Sequence, residues 1–519
     1  MAILNSSIEK RLWDTACDLW VNAKLKPSEY ATPVLGLIFL RYAEFRFNKA
    51  AEKIEASNPN SRRQPGKADY QRLGALFIPD EARFSYLLGL PEEENVQQSV
   101  INAMKLIEQE NDELKDVLPK IYTRVPKETL LSTMKLFNEF EFDEHGDIFG
   151  AVYEYFLGNF AMKEGQKGGE FFTPASLVRL IVEVIEPFHG MILDPACGSG
   201  GMFVHSARFV DKHQGNSAND ISIYGQEKIA DTVRLCKMNL AVHGLFGQVR
   251  EANTYYENVH SCYHKMNYVM ANPPFNASGI DKERIKGDKR YPFGLPSNDN
   301  ANYLWIQEFY SAMKPGEGKA GFVMANSAAD ARGSELEIRR KLIQEKVVDV
   351  MISIGSNFFY TVTLPCTLWF FDNHKSHHTS DDTVLFIDAR NIYTQIDRAH
   401  REFVPAQVEY IANIVRLYHN KEIENREGGG DLILHDFPAG EYQDIAGLCK
   451  VVTIQEIEAQ GWSLNPGRYV GTVVEDFDEE DFLETFTALN SELQKLNDEA
   501  QDLERAIEES FLLLVNGNE

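Results

Sequence analysis

The first residues that could do chemistry are Asn272, Pro273, Pro274 and Phe275, which follow the short apolar run Tyr268–Ala271. The run is typical of a buried strand, and two successive prolines cannot continue a strand because each lacks the N–H donor. We therefore predict a rigid turn whose carbonyl groups point outward between an amide side chain and an aromatic ring. Such a turn could accept hydrogen bonds from an exocyclic amino group while the aromatic ring stacks on the ring that carries this group. The four residues could equally form an ordinary turn at the end of a strand.

A second candidate is the glycine-rich segment Asp194–Gly201, which follows the apolar residues Met191–Leu193 directly. A strand that leads into a glycine-rich turn and a helix brings backbone amides close to a ligand. The segment is not a complete dinucleotide fingerprint, because Phe203 stands in place of the third glycine, and it lacks the lysine of a P-loop. Its acidic residue suits a cationic ligand that carries an amino acid group, such as S-adenosylmethionine. A purely structural turn is the alternative.

Two further segments could bind the same ligand. Glu227 ends the second predicted strand, where a carboxylate can accept hydrogen bonds from the hydroxyl groups of a ribose. A lone Glu after a strand is otherwise an ordinary surface residue. Upstream, Thr173 and Pro174 are typical of an N-cap and a first helical residue, and the preceding Phe171 and Phe172 could cover a bound cofactor. Core aromatic residues before a capped helix are the alternative.

The overall composition limits the class of protein. With 519 residues, of which 44% are hydrophobic and 25% charged, the chain is long enough for about two to four globular domains. The longest apolar runs, such as Val34–Leu40, are too short to span a bilayer, and the N-terminal residues lack the features of a signal peptide. We therefore expect a cytoplasmic protein with no membrane partner. The six cysteines are scattered without a Cys-x-x-Cys pair, so neither a metal site nor a disulfide framework is expected.

The elements that position the candidates differ along the chain. Residues 1–150 show helical spacing of apolar residues and predict an all-α N-terminal domain. Over residues 151–400, short apolar strand candidates alternate with helical patterns. This alternation predicts an α/β domain with a doubly wound, mostly parallel, Rossmann-like sheet of seven strands that ends in an antiparallel strand. We expect residues 401–475 to form an irregular, polar extension.

The last segment, residues 476–519, predicts a helical tail. Its apolar residues are spaced alternately four and three positions apart between Phe482 and Ile507, which gives an a/d heptad seam. Such a seam favours a helical partner. A helix that packs on its own domain is the alternative.

Taken together, four segments closely resemble the amino-methyltransferases that act on adenine N6 in DNA, and their order and spacing fit. They are Gly169–Pro174, Asp194–Gly201, Gly225–Glu227 and Asn272–Phe275. Over nearly its whole length, the chain is also similar to the modification subunit of type I restriction-modification systems. This narrower resemblance is carried by the helical N-terminal domain and by Ala301–Trp305, Lys319–Val323, Glu337–Ile343, Ser356–Tyr360 and Leu464–Tyr469.

The resemblance implies a methyltransferase domain and a role for each candidate residue. Asn272 and the carbonyl of Pro273 would accept hydrogen bonds from the N6 amino group, Pro274 belongs to the same catalytic turn, and Phe275 would stack on an adenine flipped out of the duplex. The methyl group would come from S-adenosylmethionine. The cofactor would be held by Phe172, Thr173, Asp194, Ala196, Gly198, Ser199, Gly200, Gly201, Glu227 and Asn253.

Two asparagines depart from the family pattern. Asn253 stands where such enzymes often carry an acidic residue near the adenine of the cofactor. Asn267 stands where an Asp commonly precedes the catalytic strand. The roles of both residues stay open.

The formal net charge of −26 argues against a protein that binds DNA alone, because neutralisation of phosphates supplies most non-specific affinity. The resemblance implies that two such subunits assemble with one specificity subunit, which reads the DNA, and that a restriction or motor subunit can join. One basic cluster after the Asn272–Phe275 turn would contact the DNA backbone, although interleaved acidic residues leave a merely solvated loop as the alternative. Its members are Lys282, Arg284, Lys286, Lys289 and Arg290.

Two other functions remain open at this point. Asn-Pro-Pro-aromatic turns also serve methyltransferases that modify glutamine amides in proteins, although the helical N-terminal domain and the heptad tail argue against that smaller architecture. A scaffold that binds cofactor and partner without turnover is the non-enzymatic alternative, which the complete set of motifs disfavours.

Overall fold

The computed structural model describes most of the chain, and Met1–Val470 and Gly471–Glu519 form two separate compact units. The described residues are 12–18, 20–21, 24, 27–57, 63, 65–139, 147–164, 173–359, 363–375, 382–397 and 400–472, with six single positions between 490 and 505. Most of the predicted heptad tail therefore lies outside the described residues, and its six described positions are helical.

Helices build the N-terminal region, as predicted. They are Pro27–Ser57, Lys67–Gln71, Phe84–Leu88, Val96–Glu110, Lys127–Asn138 and Asp147–Glu164. Asn95 caps the fourth of these helices, because its side chain accepts a hydrogen bond from the backbone N–H of Gln98. The helices enclose an apolar core of their own, in which the buried Trp20 donates from Nε1 to Thr133 Oγ1 at 3.0 Å.

Among the described residues, nine strands form one sheet and two very short strands form a separate pair. In chain order they are β1 Gly190–Asp194, β2 Ile221–Glu227, β3 Gly247–Glu251, β4 Tyr268–Ala271, β5 Lys319–Ala325, β6 Val348–Ile354, β7 Cys366–Asp372, β8 Thr383–Asp388, β9 Thr394–Gln395, β10 Arg401–Glu402 and β11 Cys449–Thr453. The order across the large sheet is β11-β8-β6-β7-β5-β4-β1-β2-β3, and β9 pairs with β10.

The mostly parallel α/β sheet is confirmed, and two details of the prediction are corrected. The sheet has nine strands rather than seven, since β8 and β11 extend it beyond β6. The antiparallel strand β7 lies inside the sheet, between β5 and β6, rather than at its end. Residues 355–365 alone separate β6 from β7, so the chain turns back and pairs directly with the strand it has just left. β8 then continues the parallel order on the other side of β6, and β11 closes that edge in the antiparallel direction.

Helices cover both faces of the sheet, as a doubly wound fold requires. Ile192 and Leu193 are neighbours in β1 that pack into different apolar clusters, because successive side chains of a strand point to opposite faces. The cluster around Ile192 includes helices Ala175–Ile185, Gly201–Lys212 and Pro405–Tyr418. The cluster around Leu193 includes helices Asn302–Ala312 and Ser334–Gln344.

One helix, Ala230–Val242, joins the helical region to the sheet. Its Cys236 packs in a cluster of the sheet, whereas its Met238 belongs to the core of the N-terminal helices. An ion pair of 3.0 Å between Arg208 of helix Gly201–Lys212 and Glu154 of helix Asp147–Glu164 is a second contact between the two regions. The two regions are therefore packed against each other and are not joined by a linker alone.

The described part of residues 401–475 is regular, which corrects the predicted irregular extension. It contains helices Pro405–Tyr418, Gly429–Asp436 and Ile454–Ala459 as well as β11. Because β11 pairs with β8, a boundary at residue 400 would divide one sheet. The other limits of the predicted domains stay predictions.

Neither a membrane span nor a metal site is found in the described part of the chain. No helix there has both the length and the apolar character needed to cross a bilayer. No group of three or more His, Cys, Asp or Glu residues there is arranged to hold a metal ion.

Candidate active site

The predicted catalytic and ligand-binding segments meet at one edge of the sheet. β1 lies between β2 and β4 and runs parallel to both. Its Leu193 pairs with Val269 of β4, and its Asp194 pairs with Gly225 of β2. Parallel strands have their carboxyl ends at the same edge of a sheet. The turns that follow these three strands, including the turn that begins at Asn272, therefore leave the sheet side by side.

Three glycines shape the turn between β1 and helix Gly201–Lys212. Gly200 has a φ of +85°, and a Cβ at this position would lie only 2.8 Å from Cys236 Sγ, so another residue would be strained there. A Cβ on Gly198 or on Gly201 would instead meet no atom within 4 Å. At Gly200 the turn therefore packs tightly against the side chain of Cys236. At the two other glycines there is open space, in which a ligand could approach the backbone amides.

Two carboxylates flank this turn. Glu227 accepts hydrogen bonds from the backbone N–H of Gly198 at 3.3 Å and of Ile229 at 3.0 Å, which ties the turn to the end of β2. Asp194 is 2% exposed and accepts a hydrogen bond from the N–H of Ala196 at 3.0 Å. Burial raises the pKa of Asp194 to about 8, against the effect of the Ala196 hydrogen bond and with a further contribution from the charge of Glu227. A cation beside Asp194 would favour its ionised form.

The segment after β3 holds the glycine turn from another side. Thr254 Oγ1 donates to the carbonyl of Pro195 at 2.6 Å. The predicted ligand residue Asn253 uses its Oδ1 to accept the N–H of Tyr255 at 3.2 Å, so it shapes this segment locally. No sequence motif indicates the contact of Thr254, because it depends on two strands that are distant in sequence.

Asn239 is a second positioning residue that the sequence did not reveal. It is 1% exposed, and its Nδ2 donates to the carbonyl of Ser199 at 2.8 Å. The bond fixes the middle of the glycine turn from helix Ala230–Val242. A polar residue inside an amphipathic helix carries no signal of such a contact until the helix is packed.

Asn267 lies at the opposite edge of the sheet from the candidate site. Its Oδ1 accepts a hydrogen bond from the N–H of Met191 at 3.0 Å, at the amino ends of β1 and β4. A Cβ on Gly190 would come within 2.7 Å of the same oxygen, which explains the glycine at the start of β1. Asn267 therefore joins the starts of two strands and takes no part in the site.

The side chain of Asn272 is oriented by a hydrogen bond from its Nδ2 to Thr173 Oγ1 at 2.8 Å. Because the oxygen and nitrogen of a carboxamide point in different directions, this bond directs the Asn272 oxygen away from Thr173. Pro273 is buried, and Pro274 is half-buried. Thr173, predicted as a cofactor residue, thus contacts the Asn272–Phe275 turn.

Phe275, at the end of this turn, is also half-buried. Its ring meets Phe359 edge to face, with 6.0 Å between the ring centroids. Such a contact restricts the orientation of the Phe275 ring. Phe172, the other aromatic candidate, lies outside the described residues.

Most of the predicted basic cluster lies at the surface after the turn. Arg284, Lys286 and Lys289 are exposed. Arg284 also lies 4.0 Å from the centre of the Tyr256 ring. Lys282 is half-buried and donates to the backbone carbonyl of Asn298. Three of the five basic side chains are therefore exposed at the surface, and Lys286 forms an ion pair with Glu283 at 3.6 Å there.

Arg290 contradicts the prediction of a DNA contact. It is 4% exposed, and its guanidinium pairs with Asp288 at 2.7 Å and with Glu308 at 3.1 Å. A side chain held inside the protein by two carboxylates cannot reach a phosphate at the surface. The partner Glu308 lies on helix Asn302–Ala312, and nothing in the local sequence of Arg290 indicates that pairing.

Comparisons with known proteins agree on one group. Residues 8–138 match a family described as HsdM N-terminal domain, and residues 144–478 match N-6 DNA Methylase. The type I restriction enzyme MjaIX methylase subunit of Methanocaldococcus jannaschii is 36% identical over 98% of this chain and 91% of its own length. The HindI methylase subunit of Haemophilus influenzae is 34% identical over 80% of this chain and 92% of its own.

A solved structure shares the fold. It is the type I restriction-modification system methyltransferase subunit of Streptococcus thermophilus. It superposes with a TM-score of 0.72 at 21% identity, over 90% of this chain and 99% of that chain.

Alanine substitutions at Gly200 and Gly201 should distinguish two requirements of the glycine turn. One is the backbone conformation at Gly200, and the other is the open space for a ligand at Gly201. Gly200→Ala combines a positive φ with a Cβ against Cys236 Sγ, so we expect the free energy of unfolding to fall by about 1–3 kcal/mol. Gly201→Ala adds a Cβ in open space at a helix start, so the free energy of unfolding should change by less than about 1 kcal/mol. Binding of S-adenosylmethionine, the cofactor predicted from the sequence, should weaken in both variants. Urea unfolding and ligand titration measure the two effects.

Gly66→Ala in the N-terminal helical region is the matched control, because a Cβ there also meets no atom within 4 Å. Gly66 directly precedes helix Lys67–Gln71, so its substitution should lower the free energy of unfolding by less than about 1 kcal/mol and leave ligand affinity unchanged. Equal stability of the Gly200→Ala and Gly66→Ala proteins would contradict the strain at Gly200. Unchanged ligand affinity in Gly201→Ala would contradict a ligand in the open space.

Proposed function

The chain belongs to the methylase subunits of type I restriction enzymes, in the N-6 DNA methylase family, and from this we propose that it transfers a methyl group from S-adenosylmethionine to the N6 amino group of adenine in double-stranded DNA. One observation carries the proposal. A turn that can cradle a cofactor and a turn that can accept an amino group leave neighbouring parallel strands, β1 and β4, at the same edge of the sheet.

The residues around the glycine turn suit S-adenosylmethionine, which supplies an electrophilic methyl group on a sulfonium when bound. Gly198 and Gly201 leave space beside their backbone amides. Glu227 lies at the end of β2, where ribose hydroxyl groups bind in such sheets, and Asp194 can balance the positive charge of the ligand. The further residues of the proposed cofactor site are Phe172, Thr173, Ala196, Ser199, Gly200 and Asn253.

Asn272 and Pro273 would prepare the acceptor nitrogen. The Asn272 oxygen, directed by the bond to Thr173, and the Pro273 carbonyl would accept hydrogen bonds from the two N–H groups of the amino group. These bonds draw the nitrogen lone pair out of conjugation with the ring and hold it in line with the methyl group. The turn contains no strong base, so its contribution is positioning and stabilisation of the positive charge that develops on N6. One N6 proton is then lost to solvent.

Phe275 would receive the adenine outside the duplex. The amino group is paired and stacked inside DNA, so the base must flip out before the turn can reach it. The edge-to-face contact with Phe359 keeps the Phe275 ring in one orientation. Stacking of a base on such a ring contributes about 1–3 kcal/mol to binding.

The charge of the chain supports a division of labour in DNA binding. With a net charge of −26, the subunit alone is a poor polyanion binder, so we propose that its specificity subunit supplies most of the affinity and reads the sequence. Lys282, Arg284, Lys286 and Lys289 would add backbone contacts close to the flipped base. Lys289→Ala tests these contacts, since loss of one phosphate contact lowers the salt dependence of DNA affinity by about one unit of slope.

Substitutions in the Asn272–Phe275 turn test the reaction itself. In the complex with its specificity subunit, we expect Asn272→Ala to lower kcat by about 10²–10³-fold, because one of the two oxygens that hold N6 is lost. Phe275→Ala should weaken the productive base complex by about 10–100-fold, as expected for a lost stacking contact. Transfer of labelled methyl groups followed by nucleoside analysis measures both.

Phe246→Ala is the matched control for the aromatic substitution, because Phe246 is 39% exposed and directly precedes β3, at the amino edge of the sheet. It should methylate normally. Methyl product on cytosine or on a protein glutamine, or transfer that survives Asn272→Ala together with Phe275→Ala, would overturn the proposed reaction. Cofactor binding without any turnover would favour a scaffold.

Asp194 makes cofactor binding pH-dependent. Because burial raises its pKa to about 8, the carboxyl group is mostly protonated at neutral pH in the free protein. A cationic ligand favours the carboxylate, so binding must release a proton below about pH 8. We therefore expect the affinity for S-adenosylmethionine to rise between about pH 6 and pH 8, by at most about tenfold per pH unit, and to level off above that range.

Titration calorimetry in buffers of different ionisation enthalpy counts the released protons. The Asp194→Asn variant separates this effect from titration of the ligand, since it should lose the proton release of the protein and retain only that of the ligand. A proton release that is identical in the two proteins would contradict the assignment to Asp194.

The assembly is the remaining part of the proposal. We propose two methylase subunits with one specificity subunit, joined by a restriction subunit, and a tail after residue 475 that contacts the partner through its heptad seam. Removal of residues 475–519 should abolish the complex and leave cofactor affinity nearly unchanged. Light scattering of the co-purified subunits gives the mass of the complex. If the truncated chain still forms a complex with the same number of subunits, the tail is not the contact with the partner. The cytoplasmic location stays a prediction.

A further inference from the structure

Arg290 is a buried cation close to the candidate site. It is 4% exposed and lies in the loop between the Asn272–Phe275 turn and helix Asn302–Ala312. Burial alone would lower the pKa of its guanidinium, but the hydrogen bonds to Asp288 and the charge of Glu308 raise it, so the group remains charged. A buried guanidinium is favourable only when its donors are satisfied.

The guanidinium of Arg290 donates hydrogen bonds to four other residues. Two donors reach Asp288, from Nε at 3.0 Å and from Nη2 at 2.7 Å. Nη1 donates to Glu308 Oε2 at 3.1 Å and to the backbone carbonyl of Thr254 at 2.6 Å. Nη2 also donates to the carbonyl of Tyr255 at 3.2 Å. Arg290 thus joins its own loop to the segment after β3 and to helix Asn302–Ala312.

The segment after β3 leads to the glycine turn. Thr254, whose carbonyl accepts from Arg290, donates from Oγ1 to the carbonyl of Pro195 at 2.6 Å. Two hydrogen bonds on one residue therefore connect the guanidinium to the turn that follows β1. A shift of Arg290 would be passed to Pro195 through Thr254.

Helix Asn302–Ala312 leads to the catalytic turn. Its first residue, Asn302, is 2% exposed and accepts the backbone N–H of Asn276 at 2.8 Å. Asn276 directly follows Phe275 and has a φ of +53°. This conformation is held by the first bond and by a second one, in which Asn302 Nδ2 donates to Asn276 Oδ1 at 2.9 Å. The same helix contacts Arg290 through Glu308 and through Ser311 Oγ, which donates to the Arg290 carbonyl at 2.8 Å.

We propose that Arg290 is a positioning residue that fixes the separation between the glycine turn and the Asn272–Phe275 turn. The inference rests on the proposed function, because this separation would set the distance between the methyl group and the acceptor nitrogen. Arg290 touches neither of the two reacting groups and acts through Thr254 on one side and helix Asn302–Ala312 on the other. Displacement of a reacting group by about 1 Å can cost about 10²-fold in rate.

Arg290→Lys is the central test, in the full chain with its partner subunits. Lysine keeps the positive charge beside Asp288 and Glu308, but it lacks the planar fork that also reaches two carbonyls. We expect kcat for methyl transfer to fall by about 10–100-fold. The dissociation constants for S-adenosylmethionine and for DNA should change by less than about threefold. Fluorescence of 2-aminopurine at the target position should still report base flipping.

Arg340→Lys is the matched control, because Arg340 pairs with Glu337 at the protein surface. It should behave as the unmodified protein in every assay. Lys289→Ala, beside Arg290 in sequence and exposed, shows what loss of a DNA contact looks like: weaker DNA binding with a smaller salt dependence.

Thr254→Val provides a second test that does not disturb the buried charges. It removes only the bond to Pro195, so we expect a smaller loss in kcat, about 3–10-fold, with cofactor affinity nearly unchanged. This variant keeps the proposal testable if Arg290→Lys does not fold. An unchanged kcat in Thr254→Val would then overturn the proposed positioning of the glycine turn by Arg290 through Thr254.

The outcomes are distinguishable from failure of the proposed function. If the unmodified complex does not methylate adenine N6, the proposed function fails, whatever the variants do. If it does and Arg290→Lys retains a normal kcat, the positioning role alone is wrong. If the salt dependence of DNA binding falls while kcat at saturating DNA stays normal, Arg290 is a DNA contact. If kcat, cofactor affinity and DNA affinity all fall together, Arg290 contributes to the general stability of the protein.

Discussion

The candidate site depends on the parallel pairing of β1 with β4. Both strands end at the same edge because they run in the same direction, and their register brings the glycine turn and the Asn272–Phe275 turn together without any long loop. An antiparallel β4 would carry Asn272 to the opposite edge, where Asn267 lies. The inserted strand β7 leaves this arrangement intact, since it enters the sheet beyond β5. Chemistry at this edge is therefore a consequence of strand direction.

Hydrogen bonds between loops then convert proximity into fixed geometry. Glu227 ties the glycine turn to β2, Thr254 ties it to the segment after β3, and Thr173 orients Asn272. These bonds join loops that are distant in sequence. A reaction that relies on positioning rather than on a strong base requires such restraint, because small displacements of the reacting atoms are costly in rate.

The distribution of charged side chains is a second constraint on the same region. The subunit has a net charge of −26, and one of its cations, Arg290, is held in the interior by Asp288 and Glu308. The buried cation joins the two turns and leaves Arg284, Lys286 and Lys289 at the surface. The distribution of cations is consistent with a subunit that orders its own site while a partner provides most of the contact with DNA.

The sequence by itself determined the fold class and indicated the candidate site. Asn272–Phe275, Asp194–Gly201 and Glu227 could be named as candidates because their residue types and local spacing form recognisable motifs. The alternating strand and helix patterns indicated the α/β sheet. Tertiary structure alone decided the rest. β8 and β11 were missed, although Val384–Ile387 of β8 is a buried apolar run of the kind that indicates a strand. Only the pairing of β8 with β6 and of β11 with β8 places them in the sheet. The roles of Arg290, Thr254 and Asn267 depend on partners in other elements: Glu308, the carbonyl of Pro195 and the N–H of Met191. Such pairings exist only once the sheet has brought distant segments together.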